Sequence, residues 1–338
     1  MRDQGTILVT GGAGFIGSAL VWALNQQGHD RILIADVLDR SDKWRNLVPL
    51  RFDDYVEAER LLDAIDRGTL DQIRTVFHLG ACSSTTETDA AYMLRNNTEY
   101  TRRLAEWAVA RDVRFVYASS AATYGALEGT LREDLPLDRL RPLNLYAYSK
   151  QLFDLYAARR GYADRVLGLK YFNVFGPNEA HKGDMRSVVS KAFDQITACG
   201  RVRLFKSYRP EFGDGRQCRD FIYVKDAVEI TLQLAARPAA NGLVNVGSGQ
   251  SHTWLELVAP VFAALGKPPE IEFIEMPETL RRKYQYSTCA SLERLRHHGY
   301  TRRPTPLADA VTEYVQQYLV PDRRLGDQTG APVAGAVS

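Results

Sequence analysis

The sequence predicts an α/β protein: a doubly wound parallel sheet carrying a smaller α/β lobe towards its C-terminus. Three observations lead there. Apolar runs of strand length alternate with amphipathic stretches of helical length over the first half of the chain. A glycine-rich turn joins the first run to the first helix, and an acidic residue closes the second run about twenty residues further on. The first run is Thr6-Ile7-Leu8-Val9, β-branched and apolar, and it feeds into Gly11-Gly12-Ala13-Gly14-Phe15-Ile16-Gly17, which opens an amphipathic helix through Trp22 and Leu24. Glycines 12, 14 and 17 fit G-x-G-x-x-G, and glycines 11, 14 and 17 fit its wider-spaced variant. Either spacing lets the backbone approach a pyrophosphate and aims helix N-terminal amides at its charge, so the sheet is expected to be of Rossmann type and to hold a dinucleotide.

The second run, Arg31-Ile32-Leu33-Ile34-Ala35, ends at Asp36, where a carboxylate would hold the adenosine ribose hydroxyls. Asp36 argues for a free 2′-hydroxyl and hence NAD. Arg40, Lys43 and Arg45 follow closely and either neutralise a 2′-phosphate, as NADP would need, or form a solvated loop. Spacing leaves both cofactors open. Further strands are expected at Thr75-Val76-Phe77-His78-Leu79, Val113-Arg114-Phe115-Val116-Tyr117 and Val166-Leu167-Gly168-Leu169-Lys170-Tyr171, with helices at about 89–110 and 146–161. Ligands of such sheets lie beyond the strand carboxyl ends. The loops there are Gly80-Ala81-Cys82-Ser83, Ser119 to Gly125, and Asn173 to Pro177, all small or polar.

After about Asn178 the alternation weakens. Residues 1–172 are therefore expected to form the nucleotide-binding domain, with residues 219–249 returning to it, and residues 173–320 mainly a substrate-binding lobe. Residues 322–338, rich in Gly, Ala, Val and Pro without periodicity, are expected to be a flexible tail. No internal repeat is visible. Lys and Arg number 43 against 41 Asp and Glu, and no basic run is interleaved with aromatics, which argues against nucleic-acid and membrane-surface partners. Cys82, Cys199, Cys218 and Cys289 are widely separated and the six histidines lack ligand spacing, so reduced thiols, a cytoplasmic location and no metal are expected. No apolar run reaches the ~18 residues of a membrane span.

The strongest chemical signal is Tyr146-Ala147-Tyr148-Ser149-Lys150. The i, i+4 spacing puts Tyr146 and Lys150 on one helical face, so a protonated Lys150 is expected to lower the cost of ionising the Tyr146 phenol. A free tyrosine titrates near pH ~10, and a base useful at neutral pH needs a shift of about 3 units, worth roughly 4 kcal/mol. Ser120 ends a strand in the same loop layer and either hydrogen-bonds a substrate oxygen beside Tyr146 or merely caps the strand.

Together the glycine turn, Ser120, Tyr146-x-x-x-Lys150, Asn173 with Gly176-Pro177, and Arg219-Asp220-Phe221-Ile222-Tyr223-Val224 resemble the extended short-chain dehydrogenase/reductase superfamily. Within it the chain is similar to the ADP-L-glycero-D-manno-heptose 6-epimerase family. That similarity rests on Gly80-Ala81-Cys82-Ser83-Ser84-Thr85-Thr86-Glu87, Tyr117 to Gly125, Tyr171 to Pro177 followed by His181-Lys182-Gly183, and Lys283-Tyr284-Gln285. The resemblance implies removal of hydride from C6 of an ADP-heptose, turning of the planar ketone, and return of hydride to its other face, a step in making the heptose of lipopolysaccharide inner core. It implies Tyr146 as acid/base for one epimer and Lys182 for the other, with Lys150 and Ser120 assisting, although a lone loop lysine is usually solvated.

By the same resemblance NADP is implied, held by Gly11, Gly14, Phe15, Ile16 and Gly17, by Asp36, Val37 and Lys43, by Leu79, Gly80, Ala81, Cys82 and Ser83, and by Asn96, Lys150, Val174 and Lys182. The sugar nucleotide falls to Asn173, Asp184, Lys191, Phe205, Lys206, Ser207, Tyr208, Arg219 and Tyr284. A guanidinium at 219 can grip a diphosphate bidentately, or else pair with neighbouring Asp220. A homo-oligomer is implied, with a pentamer among its forms. Asp184 and Lys191 stand where the family has a small hydroxyl residue and a histidine, Val37 and Ala58 replace polar cofactor contacts, and the stretch Arg209 to Cys218 is longer than in the shortest members. These departures bear on the exact sugar and on the cofactor's phosphate. Two rivals are another nucleotide-sugar enzyme, such as a UDP-sugar 4-epimerase or a 4,6-dehydratase, and a non-catalytic dinucleotide-binding sensor. Ala121-Ala122 stands where dehydratases place an acidic pair, His181-Lys182-Gly183 has no clear role in a 4-epimerase, and a sensor has no need of the Ser, Tyr and Lys set.

Overall fold

The computed structural model describes residues 5–281 and 284–328. Seven strands form one parallel sheet in the spatial order Gly242–Val246, Val166–Tyr171, Arg114–Ser120, Ile73–His78, Thr6–Thr10, Ile32–Asp36 and Asp54–Glu57. The order reverses about Thr6–Thr10, so the crevice for a ligand opens beyond the carboxyl ends of that strand and of Ile73–His78. The central strands are apolar on both faces because both faces are covered. Ile7 and Val9 pack into one core with the helices Phe15–Gln26 and Val224–Ala235, whereas Leu8 points into a second core with Tyr100–Ala110 and Leu145–Arg159.

The first of these cores is continuous with the remainder of the chain. Val189, Ile196, Val202, Leu257, Phe262 and Val311 join it, binding the helices Val188–Cys199, Trp254–Ala264 and Leu307–Glu313 to the sheet side. Short sheets build the lobe over the crevice: Cys218–Tyr223 between Asn173–Phe175 and Ser251–Thr253, and Val202–Phe205 beside Ile271–Ile274. Gly242–Val246 pairs with Val166–Tyr171 at the edge of the large sheet. Among the described residues no helix is long and apolar enough to cross a membrane.

Two local features depart from the sequence reading. The expected helix at 89–110 is interrupted by a π-helical turn at Leu94–Glu99 between Ala90–Met93 and Tyr100–Ala110. Such an extra residue rotates side chains around the axis and recurs at functional sites. Residues 322–328, expected to be flexible, are anchored instead: Leu325 is fully buried and its N–H donates to Asn178 Oδ1 at 3.0 Å. One apolar side chain and one captured amide do this without any periodicity, which is why composition alone misjudged the stretch. Lys283 and residues 329–338 lie outside the described residues.

Candidate active site

The glycine turn is shaped by close approach. Gly11 has φ +69°, in the region that favours glycine, and its N–H donates to Ala35 O at 2.7 Å. A Cβ on Gly17 would drive into the Gly11 carbonyl oxygen, and one on Gly12 would lie 2.8 Å from Ile34 Cγ2. The helix Phe15–Gln26 starts from Gly14 with no side-chain cap, leaving its first amides for an anion. Asp36 is fixed by the Ala13 and Val37 N–H groups at 2.8 and 2.7 Å and by Lys43 Nζ at 3.0 Å. Uncapped amides, a turn with no room for a Cβ at Gly11, Gly12 or Gly17, and an oriented carboxylate at the second strand end together fit a dinucleotide. Gly17→Ala is expected to lose bound dinucleotide and to lower the thermal midpoint; gel filtration followed by absorbance of the protein peak, with a melt, checks both.

A cavity of about 770 Å³ runs from this turn across the strand ends. Ser120, Tyr146 and Lys150 line it. Asn144 caps the helix Leu145–Arg159 by accepting from Ala147 N–H at 2.8 Å, which sets Tyr146 in the first turn and Lys150 one turn on. The Tyr146 hydroxyl faces Ser120. Burial raises the Tyr146 pKa and the Ser120 hydroxyl works against the rise; Lys150 does not depress it as the spacing suggested, because desolvation dominates. Burial likewise brings Lys150 down to about 8, opposed by the negative charge of Asp154. Near pH 7 the Lys150 amine therefore still carries its proton for the most part. The tyrosine rests as a proton donor beside a cation, and Ser120 gives it a hydroxyl through which a substrate oxygen can be held.

Lys182 reaches the same cavity from a different element, the 3₁₀ segment Ala180–Met185. Its ammonium stands 5.3 Å from the centre of the Phe15 ring at the start of the first helix. Burial lowers its pKa and Glu179 opposes that. The segment is tied to the glycine turn by Asn46, whose Nδ2 donates to Ala13 O and Asn178 O, both at 3.0 Å, and lies 3.3 Å from His181 Nδ1. Glu179, buried, accepts from Ser187 N–H at 2.5 Å and Ser187 Oγ at 2.6 Å.

On the far wall, Arg219 is almost fully buried, with its guanidinium carbon 5.0 Å from the Tyr284 ring and 5.8 Å from that of Trp254. Its Nη1 donates to Cys218 O at 2.8 Å. Asp220 is not its partner. That carboxylate turns the other way and accepts from Ser248 N–H and Oγ, Gly249 N–H and Ala290 N–H at 2.6 to 2.9 Å. The guanidinium therefore keeps donors for a ligand.

Comparison with known proteins agrees with this geometry. Residues 7–247 match the model of the NAD dependent epimerase/dehydratase family. The chain belongs to that family. A relative in Nitratidesulfovibrio vulgaris (strain DP4) named ADP-L-glycero-D-manno-heptose-6-epimerase is 52% identical over 92% of this chain and 97% of its own. Among solved structures, the Helicobacter pylori ADP-L-glycero-D-manno-heptose-6-epimerase superposes with a TM-score of 0.77 at 26% identity, covering 94% of this chain and 98% of that one. The Thermus thermophilus UDP-glucose 4-epimerase in complex with NAD gives a TM-score of 0.72 at 26% identity, covering 92% and 97%. A nicotinamide dinucleotide cofactor follows from the family.

As a member of this family the chain brings most of the expected residues to one place. Gly11, Gly14 to Gly17, Asp36, Lys43, Leu79 to Ser83, Ser120, Tyr146, Lys150, Asn173, Val174, Lys182 and Arg219 all line the cavity. Others stand off its wall. Val37 is 46% exposed and offers only its backbone to Asp36. Asn96 donates to Tyr92 O; it is Asn97, turned inward by the π-helical turn, that grips Cys82 through both its N–H and its carbonyl, at 2.8 and 2.9 Å. Asp184 is exposed and Lys191 lies partly buried on the helix Val188–Cys199. Phe205 pairs with Ile274, Lys206 pairs with Glu275 at 2.8 Å, Ser207 Oγ donates to Arg209 O at 3.1 Å, and Tyr208 donates to Glu275. Tyr284 acts behind the wall, stacking on Arg219 while its hydroxyl accepts from Trp254 Nε1 at 2.8 Å. The sequence reading missed Asn46, Asn97 and Trp254. An asparagine pair inside a helical pattern was the available sign for Asn97, since asparagine is a poor helix former.

Proposed function

We propose that this chain is an ADP-L-glycero-D-manno-heptose 6-epimerase, interconverting the D-glycero and L-glycero epimers of the ADP-heptose at C6. The observation that carries the reading is the convergence on one cavity of two groups able to exchange protons, from separate elements: Tyr146, facing Ser120, and Lys182. An isomerisation that inverts one carbon through a ketone returns the hydride to the opposite face, and two proton-exchanging groups on separate elements suit the two positions of the oxygen, whereas a dehydrogenase uses one. A nicotinamide dinucleotide held by the glycine turn, Asp36 and Lys43 would supply the hydride acceptor and donor, so that net oxidation is zero. Tyr146 exchanges the hydroxyl proton of one epimer while Ser120 holds the same oxygen; Lys182 serves the other epimer. Lys150 keeps a positive charge beside the phenol. Rotation of an exocyclic carbon needs less room than turning a whole ring, which suits the cavity's size. Incubation of the purified protein with both ADP-heptose epimers and with UDP-glucose, with product stereochemistry read by NMR, tests the reading. Turnover of UDP-glucose alone would sink it.

For the cofactor we favour NADP over NAD. Lys43, held against Asp36 at 3.0 Å, offers a cation where a 2′-phosphate would lie, and Ser41 lines the same corner. Tighter binding of NADPH than NADH in a fluorescence titration is expected, and loss of that preference in Lys43→Ala. On the substrate side, Arg219→Ala is expected to raise KM about ten- to a hundredfold with a smaller effect on kcat, the worth of charged hydrogen bonds to a diphosphate. Steady-state kinetics on the ADP-heptose checks it. A homo-oligomer in the cytoplasm completes the reading, its size to be measured by light scattering.

A further inference from the structure

Directly behind the reacting groups lies an ion pair that does not line the cavity. Lys170 is fully buried within Val166–Tyr171, a strand otherwise made of buried apolar residues and glycine. Its ammonium donates to Asp154 Oδ2 at 2.8 Å and to Thr123 Oγ1 at 2.6 Å. Asp154 also accepts from Tyr117 Oη at 2.9 Å and Ser119 Oγ at 2.8 Å. Replacing a buried pair of this kind by apolar side chains of similar volume is often neutral or stabilising, so stability by itself gives no account of it. Its attachments do. Asp154 sits one turn beyond Lys150 and two beyond Tyr146 on the same helix. Ser119 precedes Ser120 and lies opposite Lys170 in the sheet register, while Thr123 belongs to the turn after Ser120 and donates to Ser120 O at 2.7 Å.

We propose that Asp154 and Lys170 are positioning residues for the reaction, their buried pair clamping the Ser120 turn to the helix that carries Tyr146 and Lys150. The inference rests on the reading above, in which those three residues share the proton chemistry. Besides the clamp, the helix meets this turn where the Tyr146 hydroxyl faces Ser120, a contact that must reform around each substrate oxygen. A misplacement of a fraction of an ångström there reduces the rate while leaving nucleotide binding at the far wall untouched. The pair has a second effect through charge. Asp154 is the carboxylate that sustains the Lys150 ammonium against desolvation. From the neighbouring strand Lys150 faces His78, which burial holds neutral at about 3; Tyr146 lies on its own helix, with Cys82 close to that phenol.

The test compares Asp154→Asn, Lys170→Arg and the double variant Asp154→Leu/Lys170→Met with the wild type, on whichever nucleotide sugar the wild type turns over. A wrong sugar assignment then leaves the ratios readable. The double variant is expected to melt near the wild-type temperature yet to show kcat reduced about tenfold or more, with KM within about threefold. Lys170→Arg keeps the pair and should keep most of kcat. In Asp154→Asn the alkaline limb of the kcat profile should move to lower pH, because removing the negative charge favours neutral Lys150. A purely structural role predicts otherwise: kcat returning with stability in the double variant, or, should that variant fail to fold, an alkaline limb in Asp154→Asn superposable on the wild type. Either result overturns the proposal.

Discussion

Tyr146→Phe is expected to lower kcat by about 10²–10⁴-fold, the usual worth of a positioned acid/base group, while leaving the fold and the bound dinucleotide in place. The hydroxyl is the only atom removed. The ring stays in the first turn of Leu145–Arg159, whose cap at Asn144 and buried face, Ala147, Phe153 and Ala157, do not depend on it. Lys150 keeps its place on the cavity wall. What disappears is the phenol that faces Ser120, and with it the proton donor proposed for one epimer. Ser120→Ala should fall less far, because the phenol remains. The measurement is kcat on the ADP-heptose alongside the dinucleotide content of the purified variant. Unchanged turnover would remove Tyr146 from the chemistry, and turnover lost together with the dinucleotide would show that the ring, not the proton, had mattered.

The parts legible in sequence are those governed by local rules. The strand, glycine turn and helix at Thr6 to Gln26, and the acid at Asp36, follow from period, sterics and charge over a short span, and the structure shows the Cβ clash at Gly17 that makes glycine necessary there. Tyr146 and Lys150 were legible because helical spacing alone puts them together. The parts that were not legible depend on long-range contacts. Nothing local to Asn46 says that its amide will meet a carbonyl 132 residues away, at Asn178. The Tyr146 pKa was misjudged for a related reason: helical spacing reveals the neighbouring ammonium, but the burial that outweighs it is a tertiary property. Asn97 rather than Asn96 turns inward to Cys82 because one extra backbone residue in the π-helical turn rotates the register, and a pattern read at a constant period cannot foresee it.

Lys182→Met is expected to be nearly as damaging as loss of the phenol, at about 10²–10³-fold in kcat, although the residue lies on a loop and looks dispensable in sequence. Methionine keeps an unbranched apolar stem and drops the amine, so the contact with the Phe15 ring can persist while the proton carrier is lost. The loop itself is held by groups other than Lys182: Asn46 to Asn178, and Glu179 to Ser187 and Tyr314. The thermal midpoint should therefore move little. Burial already lowers the Lys182 pKa, which raises the neutral fraction able to accept a proton near neutral pH, while Glu179 restrains the shift so that the amine can also return one. Because the equilibrium between the epimers is independent of the enzyme, slowing proton exchange on one face must slow net turnover from both epimers. Rates measured from the D-glycero and the L-glycero substrate should fall together, with kcat/KM reduced in the same ratio. Full activity from either side would mean that Tyr146 serves both faces of the ketone, and the second proton-exchanging group would have to be struck from the mechanism.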